Sequence, residues 1–187
     1  MNCRLHCPES VDVNVQPTKG KATATIGGNN IDVKWIQLWA GGPKWAEYNM
    51  GASSATGYGS YFEWNSTDIA TAQWGSAWCM PTKADFENLF VKCTCSWDNT
   101  NKGLLCTGKG DYKDNSIFLP AAGECVNGSA TGSPYGNTSG TGSNGWYWSS
   151  TPYDSLSACD LYFDSGNQYV FGESRPLGYS VRAVLAE

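Results

Sequence analysis

The chain has 187 residues and carries 12 lysines and arginines against 17 aspartates and glutamates, a formal net charge of −5 at pH 7. Aromatic residues make up 13% of the chain and charged residues only 16%, below the share of about 25% that is typical of globular proteins. The aromatic content excludes disorder for the bulk of the chain, and the acidic balance argues against nucleic-acid binding, which needs clustered basic residues. No run approaches the roughly 18 apolar residues of a membrane-spanning helix, so we expect no membrane insertion.

The first 30 residues predict an N-terminal arm or hairpin that precedes a main domain at residues 31–187. Val11, Val13 and Val15 alternate with polar residues, as in a strand, and residues 21–26 form a second strand candidate before a glycine turn. The first eight residues contain no apolar run of signal-peptide length, so we expect no signal peptide in this chain.

Alternating side chains predict strands at residues 31–35 and 44–50, with a glycine-proline turn between them. The mixed stretch from residue 53 to 64 predicts one or two helical turns.

One helix is predicted at about residues 82–92. Thr82 precedes it as an N-cap, and Asp85 stands three residues later, where a capping box places its acidic residue. Phe86, Leu89 and Phe90 then follow the helical spacing of a single apolar face.

A compact apolar strand is predicted at residues 115–120, followed by a stretch from 127 to 145 that contains no charged residue. A loop of this length inside a domain is usually functional or mobile, and a plain surface excursion explains it equally well.

The stretch from Ala158 to Phe171 predicts a β hairpin that turns at residues 165–167. Because strand side chains alternate, they divide into two sets. One set, expected to face the core, is Cys159, Leu161, Phe163 and Val170. The other set, expected to face solvent unless a second layer covers it, is Asp160, Tyr162, Asp164, Tyr169 and Phe171.

Eight cysteines allow four disulfides, but buried free thiols are the preferred interpretation in the absence of a secretion signal. The spacings Cys3-x3-Cys7 and Cys93-x-Cys95 differ from those of zinc sites, and His6 is the single histidine. We therefore expect no metal site.

Five motifs, in this order, resemble a known family: residues 44–54 (KWAEYNMGASS), 78–86 (WCMPTKADF), 115–123 (NSIFLPAAG), 148–152 (WSSTP) and 180–184 (SVRAV). They are similar to the C-type-lectin-fold domains in surface proteins of gut bacteria and their phages, and within that group to the variable proteins of diversity-generating retroelements. The likeness runs from about Lys34 to the end. It implies an α+β fold of the C-type lectin type, with small mixed or antiparallel sheets, one clear helix and long irregular loops.

The resemblance also implies a ligand-binding module whose C-terminal segment, residues 146–187, is rewritten by a reverse transcriptase that substitutes at adenines. The fixed frame of this segment would be residues 148–152, Leu161, Phe163, residues 165–166, Arg175, Gly178 and residues 180–182. The candidate variable, ligand-contacting positions are Tyr153, Asp154, Leu156, Asp160, Tyr162, Asp164, Tyr169, Phe171, Ser174, Pro176, Leu177 and Tyr179.

The same fold is similar to formylglycine-generating enzymes, whose catalysis uses paired cysteines, one of them near the C-terminus. Ala183 stands where that cysteine would fall in the present chain. We therefore expect a non-enzymatic domain without a cofactor, which binds an unknown protein or glycan receptor and is located on a virion or a bacterial cell surface. The alternatives are a fixed-sequence adhesin of the same fold and an oxidase of the formylglycine-generating kind.

Overall fold

The computed structural model describes residues 17–126 and 137–186, and these ranges contain fifteen strands and two α helices. The strands are β1 (Lys19–Ile26), β2 (Asn29–Gln37), β3 (Lys44–Ala46), β4 (Phe62–Glu63), β5 (Trp78–Cys79), β6 (Thr94–Asp98), β7 (Gly103–Thr107), β8 (Ser116–Pro120), β9 (Glu124–Val126), β10 (Asn137–Ser139), β11 (Gly145–Pro152), β12 (Ser157–Phe163), β13 (Gln168–Ser174), β14 (Gly178–Tyr179) and β15 (Val184–Leu185). The helices are α1 (Ile69–Trp74) and α2 (Lys83–Lys92), and a 3-10 turn covers Gly110–Tyr112.

The strands form four small sheets within the described ranges. A five-stranded sheet has the order β1-β2-β3-β15-β5, and a four-stranded sheet has the order β10-β9-β14-β4. The two three-stranded sheets are β11-β12-β13 and β6-β7-β8. Neighbouring strands pair antiparallel, which makes this an α+β structure dominated by β-sheet.

The predicted helix is confirmed as α2. Thr82 Oγ1 accepts a hydrogen bond from the Asp85 amide, and the Asp85 carboxylate accepts one from the Thr82 amide, which completes the capping box. Phe86 and Leu89 are fully buried, as the predicted apolar face requires.

The prediction of helical turns between residues 53 and 64 is wrong, because that segment contains bends, turns and the short strand β4. The additional helix α1 begins after Asp68, whose carboxylate accepts hydrogen bonds from the Thr71 and Met80 amides. Six residues are too few to show a helical period in the sequence, so α1 had no periodic signal.

The predicted strands are found at 21–26 within β1, 31–35 within β2 and 115–120 as β8, whereas the strand expected at 44–50 ends at Ala46. The expected strand at Val11–Val15 lies outside the described residues, as does most of the uncharged stretch after residue 126. β1 and β2 form a hairpin paired over eight residues, and β2 continues past residue 30 into the five-stranded sheet. Residues 19–30 are therefore part of that sheet.

Two hydrophobic clusters fill the interior. One lies around Trp78, Trp148 and Tyr179, and the other around Trp45, Phe86 and Phe163. Buried indole nitrogens also cross-link distant segments: Trp148 Nε1 donates to the Phe62 carbonyl at 2.7 Å, and Trp64 Nε1 donates to the Ser149 carbonyl at 2.8 Å. The scaffold tryptophans thus supply both apolar area and hydrogen bonds.

Arg182 is fully buried and takes no carboxylate partner among the described residues. Its guanidinium donates to Asn49 Oδ1 and to the carbonyls of Ala46, Glu47 and Phe118 at 2.8–3.2 Å. Burial lowers its pKa to about 10. The side chain therefore holds the C-terminal segment against two other parts of the chain.

One disulfide is present in the described part of the chain, between Cys95 on β6 and Cys106 on β7, which lie directly opposite each other. The preference for free thiols is therefore wrong for this pair. It holds for Cys93, Cys125 and Cys159, which are buried thiols, while Cys3 and Cys7 lie outside the described residues. The pairing of Cys95 and Cys106 depends on the strand register, which cysteine spacing does not reveal.

Candidate binding surface on the hairpin

The predicted hairpin is formed by β12 and β13, which pair over seven residues with Tyr162 opposite Tyr169. Asp164 organises its turn, because one carboxylate oxygen accepts hydrogen bonds from the Gly166 and Asn167 amides at 2.7 Å. These bonds lower the pKa of Asp164 to about 2, so its carboxylate is ionised at neutral pH.

The predicted core face is confirmed. Leu161 and Phe163 are fully buried, Cys159 is 3% exposed and Val170 is half-buried. Leu161 and Phe163 join the cluster that includes Phe86 and Leu89 of α2, so the helix covers this side of the hairpin.

Aromatic rings along the hairpin form two contacting pairs. Tyr153 lies 5.8 Å from Phe171, centroid to centroid, and Tyr162 stacks on Tyr169 at 4.8 Å. Tyr169 and Phe171 are alternate residues of β13, and Tyr162 of β12 pairs with Tyr169, so these three side chains point to the same side. The ring of Tyr153 instead lies where a Cβ atom of Gly172 would point, on the other side of β13. We call Tyr162, Tyr169 and Phe171 the aromatic surface.

Ring contacts continue from this surface into the interior. Trp146 lies 5.1 Å from Tyr162 and 6.0 Å from Tyr179, and Tyr179 stacks on Trp148 at 4.4 Å. The exposed rings are thus supported by buried ones, which limits their freedom before any partner binds. Trp146 was not among the predicted contact residues, although alternation along β11 places it on the same face as Trp148 and Tyr162.

The structure places most of the predicted contact positions at the surface. Tyr153 and Phe171 are each 55% exposed and Tyr169 is 51% exposed. The exposed positions are Tyr153, Asp154, Leu156, Tyr169, Phe171, Ser174 and Pro176, and the partly buried ones are Tyr162, Asp164 and Leu177.

Two predicted contact positions, Asp160 and Tyr179, are buried, with 1% exposure each, and this part of the prediction is wrong. Asp160 lies opposite Trp148 in the register, on the half of the face that the ring of Tyr179 covers by stacking on Trp148. Alternation assigned the correct face to Asp160, but a second layer of the structure covers that part of it.

Asp160 has no hydrogen-bond partner for either carboxylate oxygen. Burial and the nearby charge of Glu173 raise its pKa to about 7. Burial also raises the pKa of Glu124, again with a contribution from Glu173. The three carboxyl groups therefore interact unfavourably beneath and beside the aromatic surface.

An open groove of about 460 Å³ adjoins the hairpin turn. Residues 164–168 form one wall, and Trp97, Leu104 and the disulfide residue Cys95 belong to the other. Gln168, the last of these residues, directly precedes Tyr169 on β13, so the groove lies at the turn end of the hairpin.

Several other features bear on chemistry. No group of three or more histidine, cysteine or acidic residues within 17–126 and 137–186 is arranged to hold a metal ion. Burial raises the pKa of the Cys159 thiol, and Ala183 is fully buried. None of the helices in the described part of the chain has the length and apolar character needed to cross a membrane.

Comparison with known proteins gives one match. The model of a domain of unknown function, DUF8237, matches residues 97–184, which include β12, β13 and the whole aromatic surface. No curated protein and no solved structure matches the chain.

Proposed function

We propose that this chain is a ligand-binding protein of the C-type lectin fold, whose C-terminal segment is diversified by adenine-directed retroelement mutagenesis. The observation that carries the proposal is the series of aromatic rings from Tyr169 through Tyr162, Trp146 and Tyr179 to Trp148. Its exposed end lies on the hairpin, among the positions expected to vary, and its other end belongs to the core. Tyrosine-rich surfaces on a rigid scaffold offer large contact area at a small cost in side-chain entropy.

In this proposal specificity comes from the exposed side chains of the hairpin, while the buried frame keeps their positions constant. Leu161, Phe163 and Arg182 belong to that frame and are fully buried. The partner is a protein or glycan receptor on a cell surface. The Cys95–Cys106 disulfide supports a location on a virion or a bacterial surface, because disulfides persist in oxidising environments outside the cytoplasm.

Two observations favour binding over the oxidase alternative. Cys125 and Cys159 are both buried, and burial raises the pKa of the Cys159 thiol, which disfavours the reactive thiolate. The rings of Tyr169 and Phe171, by contrast, are half exposed, as aromatic residues that contact a partner need to be.

The binding test compares the wild type with the double variant Tyr169→Ser/Phe171→Ser on a library of short random peptides and on a glycan array. We expect the wild type to retain specific members of at least one collection and the variant to bind them at least about tenfold more weakly, because central aromatic residues dominate interface energy.

The matched control is Ile31→Ser/Tyr58→Ser, which removes two exposed apolar side chains far along the chain from the hairpin. It should bind like the wild type. Equal losses in both double variants, or a wild type that retains no peptide and no glycan, would contradict the proposed function.

A further inference from the structure

Carboxylates border the aromatic surface along the whole hairpin. Asp154 stands at the β11–β12 turn, Glu173 near the end of β13, and Asp164 at the opposite turn, so they span about 20 Å of strand. Backbone amides of Leu156 and Ser157 lower the pKa of Asp154, which is exposed and ionised at neutral pH.

Within the described residues, basic side chains form no ion pair with Asp154, Asp164 or Glu173. Residues 137–186 contain two arginines, Arg175 and Arg182. The guanidinium of Arg175 lies over the Trp64 ring at 4.4 Å and donates to the Ser157 and Asp154 carbonyls, and Arg182 is bound in the interior.

The ion pairs of the described ranges lie elsewhere. They join Lys21 to Asp32, Lys34 to Glu47 and Lys83 to Glu87. The carboxylates around the aromatic surface therefore form no ion pair, although the nearby charge of Arg175 contributes to the lowered pKa of Asp154.

Asp160 is a separate indication that acidic groups exceed basic groups on this face of the hairpin. Its side chain is 1% exposed, belongs to the same face as Phe171 and Glu173, and offers two oxygens without any hydrogen-bond donor. Buried polar groups are normally satisfied, so a buried carboxyl group without a donor shows that this side of the hairpin holds more acidic groups than donors to pair with them.

We propose that the partner of the aromatic surface is an extended protein segment that presents arginine or lysine side chains. This inference rests on the proposed function and names its partner class. A guanidinium or ammonium group over the rings of Tyr169 and Phe171 gains cation–π energy, and Asp154 and Glu173 are placed to pair with the same or neighbouring cations. Because the carboxylates are distributed along an open face, several cations of an extended chain fit better than one small cationic molecule.

The test measures fluorescence anisotropy of three labelled peptides that alternate serine with arginine, glutamine or glutamate. We expect the wild type to bind the arginine peptide at least about tenfold more tightly than the glutamine peptide, and the preference to weaken as salt is added. In Asp154→Asn/Glu173→Gln the preference should fall below about threefold, because the charges are removed while the rings and the turn acceptor remain.

The control variant Asp111→Asn/Asp114→Asn changes the net charge equally but lies outside the hairpin, and it should keep the preference of the wild type. Three outcomes would overturn the proposal of a cationic partner. They are equal binding of the arginine and glutamine peptides, no binding of either peptide, and an equal effect of the two double variants on the preference. If library peptides still bind through Tyr169 and Phe171 in that case, the proposed function stands and only the partner class is wrong.

Discussion

At the scale of single residues, Asp160 is a carboxyl group whose surroundings disfavour its charged form. It is nearly inaccessible to solvent, neither oxygen accepts a hydrogen bond, and the negative charge of Glu173 acts on it. Tyr169 and Tyr179 lie within reach of its charge as well, since Asp160 contributes to the raised pKa of both phenols. None of these neighbours stabilises an ionised carboxylate, so the neutral acid is favoured in the folded state.

This arrangement makes stability depend on pH. The pKa of Asp160 is about 7 in the folded protein, well above the value of about 4 expected in an unfolded chain. Between these values the folded state retains a proton that the unfolded state releases, so the contribution of Asp160 to stability falls as pH rises from about 4 to 7. Asp160→Asn removes this loss. Its free energy of unfolding should exceed that of the wild type by about 4 kcal/mol at about pH 8, and the difference should disappear at about pH 4.

The measurement is urea unfolding of the wild type and Asp160→Asn across that pH range. Asp154→Asn is the control, because the pKa of Asp154 is lowered rather than raised and its side chain is exposed. If the free energies of unfolding of the wild type and Asp160→Asn change in parallel with pH, Asp160 does not titrate in the measured pH range and the prediction is wrong.

At the scale of elements, the β12–β13 hairpin depends on a glycine that no sequence pattern singled out. A Cβ atom at Gly172 would overlap the ring of Tyr153, which lies against β13 beside Phe171. The absence of a side chain at Gly172 therefore allows Tyr153 to lie against β13 and to contact Phe171.

Gly172→Ala should displace Tyr153 from Phe171 without unfolding the hairpin, because Tyr153 is exposed and its side chain can rotate away. Nuclear Overhauser contacts between the two rings should disappear, while those between Tyr162 and Tyr169 remain. Gly166→Ala in the same hairpin is the control, since the nearest atom to its new Cβ is Asp164 Oδ1 at 3.7 Å. Persistence of the Tyr153–Phe171 contacts in Gly172→Ala would contradict this role.

At the scale of the whole molecule, the exposed positions and the buried frame alternate along one continuous stretch of chain. Trp148, Leu161 and Arg182 are fully buried and tie this stretch to the rest of the protein, whereas Tyr169 and Phe171 extend from it into solvent. A scaffold of this kind tolerates substitutions at the exposed positions, because surface substitutions usually change stability little. Substitutions in the buried frame, by contrast, create cavities or leave polar groups without hydrogen bonds.

The diversification proposal therefore makes a prediction about the gene. Near the coding sequence we expect a second copy of the stretch that encodes residues 146–187, differing at adenines, together with a reverse transcriptase gene. The differing codons should include those of Tyr153, Tyr169 and Phe171 and exclude those of Trp148 and Leu161. Sequencing the surrounding DNA checks this directly, and the absence of a repeat would leave the fixed-sequence adhesin as the better account.

Features that depend on neighbouring residues follow from the sequence alone. Helix α2 follows from the capping residues Thr82 and Asp85 and from one apolar stripe, and the hairpin follows from its alternation and its turn at residues 165–167. Local hydrogen bonds and side-chain periodicity specify such elements without knowledge of the rest of the chain.

The packing of the sheets sets which part of each face is covered and which distant groups meet. Tyr179 packs on Trp148 and buries the region of Asp160, and the strand register joins Cys95 to Cys106. These contacts bring together residues whose proximity depends on how the sheets pack, and side-chain periodicity carries no information about that. The aromatic excess of the chain was therefore visible from the sequence, but its division into buried support and exposed surface was established by packing.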